Sequence, residues 1–260
     1  MKINREQLAW CVSICMGLAI LWIKSQNMIP MIQTSHDPYL TAYFNTFNET
    51  DAKIRHCDRT RCQSIYENHL RPPTQKELEH LERLTIQVDA LSARLATIPW
   101  KFRIFWGDIE SHFPHTHGDF IYIHEDHVST IPITTLLHEK IHVFQRMFPC
   151  ETHDLIVNYW GFSFHSMRYG SAHDIMRANP DVNRIIYADD QGKTIMGVYK
   201  KNAQSLNDIE DSRDHPYEMM AYALSDPGLF KYPYTNTRVH ISKEQYHALL
   251  AWAKKYLIIL

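Results

Sequence analysis

The chain has 260 residues, a formal net charge of -2 at pH 7 and a hydrophobic fraction of 45%. This length suits one compact domain behind a short N-terminal appendage, and the composition excludes a disordered chain. The lack of a basic surplus argues against nucleic acid as a partner, and the oligomeric state stays open.

The first predicted element is an uncharged apolar segment at residues 8–23, which reads LAWCVSICMGLAILWI. Basic residues Lys2 and Arg5 precede it and Lys24 follows it. The segment predicts a signal-anchor, that is, a transmembrane helix within residues 1–24 that places the rest of the chain on the lumenal or extracellular side. A cleaved signal peptide, and so a secreted protein, is the alternative, although no small-residue cleavage site follows. A buried N-terminal helix is a further interpretation.

Residues 25–50 are polar and aperiodic, which predicts a stem ahead of a folded domain at residues 51–260. Asn48 begins an Asn-Glu-Thr glycosylation sequon, which is typical of a secretory glycoprotein. Cys57 and Cys62 are close enough in sequence for a local disulfide, and this would require an oxidising compartment. The alternatives are a chance sequon and two free thiols.

A long amphipathic helix is predicted next. Thr74 and Glu77 have the spacing of a capping box, and apolar residues recur at three- and four-residue intervals from Leu81 to Leu95. We expect this helix to pack against the catalytic lobe. Self-association through a coiled-coil seam is the alternative.

Two short strands follow, at residues 101–104 and 120–123. The second is a candidate edge strand to which a peptide could add by main-chain hydrogen bonds. Histidines are concentrated around these strands: His112, His115, His117, His124 and His127. Their spacing lacks a ligand pattern, so exposed or hydrogen-bonded histidines are favoured over a second metal site.

The most informative element is the helix predicted between Pro132 and Pro149, with Ser129 and Thr130 as candidate N-caps. Its centre carries the sequence HEKIH, in which His138 and His142 stand four residues apart. That spacing places two imidazoles on one helix face, where both can bind one metal ion.

Glu139 lies between the two histidines and is the candidate general base. The surrounding residues are mostly apolar, and polar groups in a buried helix need partners, for which a metal ion is the simplest choice. A solvated surface helix is the alternative.

Downstream, a helix at residues 154–160, a hairpin at residues 184–199 and a last packing helix at residues 242–257 are predicted. Before that last helix, Pro216 begins another buried helix, which contains Glu218. A carboxylate in an apolar helix calls for a cation, so Glu218 is the candidate third ligand. A capping or surface glutamate is the alternative.

With these residues, the chain resembles the gluzincin-type zinc metallopeptidases. That family combines HExxH on one helix with a ligand glutamate in an E-x-x-A pattern on a second helix, matched here by His138, Glu139, His142, Glu218 and Ala221. The resemblance implies an α+β, zincin-like domain with a small sheet packed on the HExxH helix. It also implies that His138, His142 and Glu218 bind Zn²⁺, that Glu139 activates water, and that the substrate is a peptide or protein.

The sequence therefore predicts a membrane-anchored zinc metallopeptidase. A catalytically silent metal-binding or interaction module on the same scaffold is the alternative, because Lys140 is charged where the family mostly has an uncharged residue. His215, Tyr217 and Tyr222 are equal candidates for stabilising the oxyanion. The decisive expectation is that Glu218 lies on a helix beside the HExxH helix, with its carboxylate near both imidazoles.

Overall fold

The computed structural model describes residues 38–167, 176–210, 214–226 and 241–257. Its helices are α1 (Pro38–Phe44), α2 (Glu49–Ile54), α3 (Cys62–Glu67), α4 (Gln75–Asp89), α5 (Ala93–Ala96), α6 (Ile133–Met147), α7 (Pro149–Asp154), α8 (Pro216–Ser225) and α9 (Lys243–Tyr256). Its strands are β1 (Leu70–Arg71), β2 (Phe102–Phe105), β3 (His115–His117), β4 (Phe120–His124), β5 (Ser163–Met167), β6 (Ile185–Ala188) and β7 (Thr194–Ile195). The predicted α+β class with small sheets is confirmed.

The predicted transmembrane helix, and with it the single-pass membrane location, has to be corrected. Among the described residues, no helix is long and apolar enough to cross a membrane. Even α4 and α6 have only 15 residues each, whereas a spanning helix needs about 20 apolar residues. The segment at residues 8–23 lies outside the described residues.

Part of the segment expected to be a stem is folded. Residues of α1 and the turn after it are buried, including Tyr43, Phe44 and Phe47. Asn48 is the N-cap of α2 and is 1% exposed, and its Nδ2 donates to the carbonyl of Met176 at 2.9 Å. The sequon amide is therefore engaged inside the fold, where a glycan on that nitrogen would have no room.

A disulfide joins Cys57 and Cys62, as the sequence allowed. It closes the turn between α2 and α3, and Cys62 is buried against aromatic residues of α1 and α3. The two cysteines are therefore not free thiols.

The main sheet has the strand order β1-β2-β4-β3. β2 and β4 are parallel, with Ile104 opposite Ile123, and β3 is antiparallel to β4. Strand β4 is therefore internal, and the edge strand next to it is β3, which the sequence did not predict. Ile104, Ile121 and Ile123 face the main core with α6, whereas Phe105 and Tyr122 pack with the aromatic residues of α1 and α3.

The helix predicted from Thr74 to Leu95 is divided in two. The capping box of Thr74 and Glu77 is present, and Leu81 and Val88 are fully buried on one face of α4. Ser92 then caps α5 with its side chain, because a serine that bonds to its own downstream backbone favours a new helix start.

Helix α6 begins after Pro132, not at Ser129 or Thr130. Proline places its own backbone in an extended conformation there and adds no side-chain cap. Most of α6 is buried, and it packs directly against α8, which Pro216 begins as predicted. These two helices position the candidate site.

A second sheet has the order β5-β6-β7. It contains the predicted hairpin, with Ala188 opposite Thr194, and adds the unpredicted strand β5. The C-terminal helix α9 begins at a Ser242 capping box and buries Trp252 in the main core, beside Phe144 of α6.

Candidate metal centre

Three side chains from α6 and α8 converge at one point. The Nε2 atoms of His138 and His142 lie 3.0 Å apart, and Glu218 Oε2 lies 3.3 Å from the first and 3.6 Å from the second. Because ligand atoms on a tetrahedral metal are separated by roughly 3–4 Å, these distances match a shared ion. The structure thus brings together residues that the sequence separates by helix α7 and the three strands β5 to β7.

The tautomer of His142 is set by a chain of two hydrogen bonds. Gln145 Nε2 donates to the carbonyl of Tyr217 at 2.9 Å, which fixes Gln145 Oε1 as the acceptor facing His142 Nδ1, at 2.8 Å. Nδ1 therefore carries the proton, and the lone pair of Nε2 points to His138 and Glu218. Such outer partners orient the ligands of metal sites. No sequence pattern indicated Gln145.

Glu218 is held in the same way. Asn179 Nδ2 donates to Glu218 Oε1 at 2.6 Å, while Asn179 Oδ1 accepts from the backbone N–H of Asp181 at 2.8 Å. The orientation of the Asn179 amide is thereby determined, and Oε2 of Glu218 is left to face the two imidazoles. No sequence pattern indicated this role of Asn179.

The centre behaves electrostatically as a cluster of mutually dependent groups. Burial opposes ionisation of Glu218, but the neighbouring imidazoles of His142 and His138 outweigh it and hold the pKa of this carboxyl well below its ordinary value. Burial lowers the pKa of His138, whereas the Glu218 charge prevails over burial and raises the pKa of His142. One ionised carboxylate together with two imidazoles is a suitable donor set for a divalent cation.

Glu139 is 3% exposed and lies beside the cluster. Among the described residues, its Oε2 atom has no hydrogen-bond partner, which is rare for a buried carboxyl. Burial raises its pKa well above the ordinary value, and the charges of Asp181 and Glu218 raise it further. The group is therefore more basic than an ordinary carboxylate and has an oxygen with no partner among the described residues.

Lys140 points away from the centre. Its Nζ donates to the carbonyl of Ile98 and lies 3.8 Å from the centroid of the Trp100 ring. Burial lowers the pKa of this ammonium to about 8. Lys140 thus belongs to the packing between α6 and the start of β2, and it does not alter the metal centre.

The centre opens into a cleft of about 410 Å³. Of the three oxyanion candidates, only Tyr222 lines this cleft, and its ring centroid lies 4.4 Å from that of His138. His215 uses both ring nitrogens, one with the Ile185 carbonyl and one with the N–H of Tyr217. The phenol oxygen of Tyr217 is buried and accepts from Asn183.

A second group of histidines also converges, with one nitrogen each of His112, His124 and His127 within 4.8 Å of one another. Here the rings of His112 and His124 stack in parallel, with centroids 3.9 Å apart and planes inclined by 7°. Because a metal ion lies in the plane of each imidazole that binds it, stacked rings cannot share one ion without rotating. Both nitrogens of His124 are engaged, with the Gly107 carbonyl and the Asp126 N–H.

The chain matches no family model, and neither the curated proteins nor the solved structures contain a match. The resemblance to gluzincins therefore rests on the two motifs and on the geometry of their residues.

Proposed function

We propose that the chain is a zinc-dependent hydrolase of peptide bonds. The observation that carries this proposal is the convergence of His138, His142 and Glu218, with ligand atoms 3.0–3.6 Å apart. Two imidazoles and one carboxylate are a common donor set for catalytic zinc, which keeps a further position for water or substrate.

The residues present fit such an ion. The His142 lone pair and Glu218 Oε2 are already oriented by Gln145 and Asn179, and Glu139, whose Oε2 has no hydrogen-bond partner among the described residues, lines the same cleft. When bound, zinc would polarise the scissile carbonyl and acidify the attacking water. Lys140, the residue that motivated the alternative of a silent module, contacts Trp100 and the Ile98 carbonyl.

The chain's own side chains would then carry the proton and the developing charge. Glu139 would accept a proton from the attacking water and return it to the leaving amine, a role suited to its raised pKa. Tyr222, which lines the cleft beside His138, would donate its hydroxyl hydrogen to the oxyanion.

The proposal is tested by Glu139→Gln. This change keeps the size of the side chain and all three ligands, so bound zinc should remain while peptide cleavage falls by about 10²–10⁴-fold, the usual contribution of a general base. Zinc content and turnover of a quenched-fluorescence peptide library are measured together, with and without a chelator.

The matched control is Glu82→Gln, an exposed glutamate on α4, which should change neither quantity. Unchanged cleavage by the Glu139→Gln protein would contradict the proposed mechanism. Bound zinc without chelator-sensitive cleavage in the unmodified protein would favour the silent module.

A further inference from the structure

The edge strand beside the metal centre is covered. Strand β3 pairs only with β4, so its other side is where an extended peptide would add main-chain hydrogen bonds. Yet His115, Thr116 and His117 are each at most 2% exposed. A strand edge that is buried to this extent is already occupied by another part of the chain.

The occupant is the segment Ala178–Asp181. Asp181 Oδ1 accepts from the backbone N–H of Thr116 at 2.6 Å and from its hydroxyl at 2.8 Å. Arg146 of α6 donates to the carbonyls of Thr116 and Pro180, at 3.0 and 2.9 Å, and so clamps the segment to the strand. The preceding position on the edge is Pro114, which has no N–H to offer.

The segment is also anchored at its other end. The backbone N–H of Ala178 donates to Asp51, and its carbonyl accepts from Arg55, at 3.0 and 2.9 Å. Arg55 is buried: its Nη2, which binds the Ala178 carbonyl, also donates to Tyr43, while Nε donates to Glu110 and Nη1 to Asp51. Moving the segment aside would therefore break two hydrogen bonds to buried charged groups, which is costly.

The remaining space beside the metal centre is small. The cleft volume of about 410 Å³ is near the lower end of the range for small-molecule pockets. Arg55, which lines the cleft, is fully engaged within the fold and is not available to anchor a long substrate.

We propose that this chain acts on short peptides of a few residues, bound within the cleft, and not on extended polypeptide added to the sheet edge. The contacts that support this proposal are at the free edge of β3, where Asp181 binds the backbone N–H of Thr116 and Arg146 binds its carbonyl. The inference rests on the proposed function, since it names the substrate class of the same site.

Binding to the zinc-loaded Glu139→Gln protein tests the inference without turnover. The probes are acetylated, amidated peptides that share a central sequence and lengthen stepwise from a tripeptide to a decapeptide, measured by calorimetry. Affinity should level off by the tetrapeptide. From the tetrapeptide to the decapeptide it should rise by less than about 10-fold, or about 1.4 kcal/mol. A larger gain with length would overturn the inference and leave the proposed function standing. If no peptide of any length bound, both would fail.

A pair of variants locates the cause. In the same background, Asp181→Ala removes the acceptor from the Thr116 N–H and should make affinity rise with peptide length. Asp181→Asn keeps an oxygen acceptor and should retain the flat profile. A folded Asp181→Ala protein whose affinity does not change with peptide length would refute the role of Asp181. If Asp181→Ala does not fold, the length series measured with Asp181 intact decides the inference.

Discussion

The described residues contain two clusters of three side chains with metal-ligand chemistry, and they differ in how their lone pairs are used. At His138, His142 and Glu218, the outer atoms of two ligands are bound by Gln145 and Asn179, so the inner atoms face one another. At His112, His124 and His127, the nitrogens of the most buried ring are bound by the backbone. Proximity of histidines is thus not sufficient; the direction of the lone pairs distinguishes a preformed site from a packing cluster.

The second cluster has a structural role that the first lacks. Glu110, Ser111 and His112 all have positive φ, at 48°, 50° and 62°, a conformation costing non-glycine residues about 1–3 kcal/mol each. The ion pair of Glu110 with Arg55 holds one end of this turn, and the stack of His112 on His124 holds the other. The imidazoles therefore stabilise a strained backbone.

The largest effect expected from this comparison is on metal content. Glu218→Ala removes a ligand and should weaken zinc binding by more than about 100-fold, beyond the usual effect of changing an outer partner. His112→Ala and His127→Ala should leave the zinc stoichiometry unchanged. Elemental analysis after dialysis against buffered zinc provides the measurement, and loss of bound zinc in either histidine variant would break the comparison.

A smaller effect is expected from the outer partner of Glu218. Asn179→Ala removes the 2.6 Å hydrogen bond to Oε1 and should weaken zinc binding by about 10–100-fold. Asn183→Ala is the matched control: it removes a hydrogen bond to the Tyr217 hydroxyl in the same segment but does not touch Glu218. Competition with a chromophoric chelator measures both, and equal losses would mean that the segment acts through general stability alone.

The smallest effect concerns pH and the second cluster. Burial, with the nearby His112, lowers the pKa of His124, so the unfolded chain takes up the proton first as pH falls. The lowered pKa of His124 therefore has no effect on stability above about pH 6.5, the ordinary histidine value. Below that pH it destabilises the folded state. We expect the free energy of unfolding, measured by urea denaturation with a chelator present, to fall less between pH 7.5 and pH 5 in His124→Asn than in the unmodified protein. The exposed His247→Asn should leave that fall unchanged. An unchanged slope in His124→Asn would refute this assignment.

Local patterns predicted the four longest helices that the structure describes, α4, α6, α8 and α9, and the strands β2, β4, β6 and β7. The Thr74–Glu77 capping box, Pro216 at a helix start and the last helix from about Ser242 all appear where expected, because these patterns involve residues a few positions apart. The errors lie where tertiary packing overrides local preference. Strand β4 is internal because β3, a short histidine-rich run with no strand signal, pairs with it.

The sequence by itself determined the candidate ligands, because the HEKIH spacing and the E-x-x-A pattern are set by helical periodicity. It could not determine how those ligands are oriented. Gln145, Asn179 and Asp181 act through contacts with Tyr217, Glu218 and Thr116, which lie 72, 39 and 65 residues away along the chain. Only the tertiary structure brings such groups together, since a hydrogen bond depends on atoms within about 3 Å and not on sequence separation. The same long-range contacts close the strand edge and set the size of the cleft.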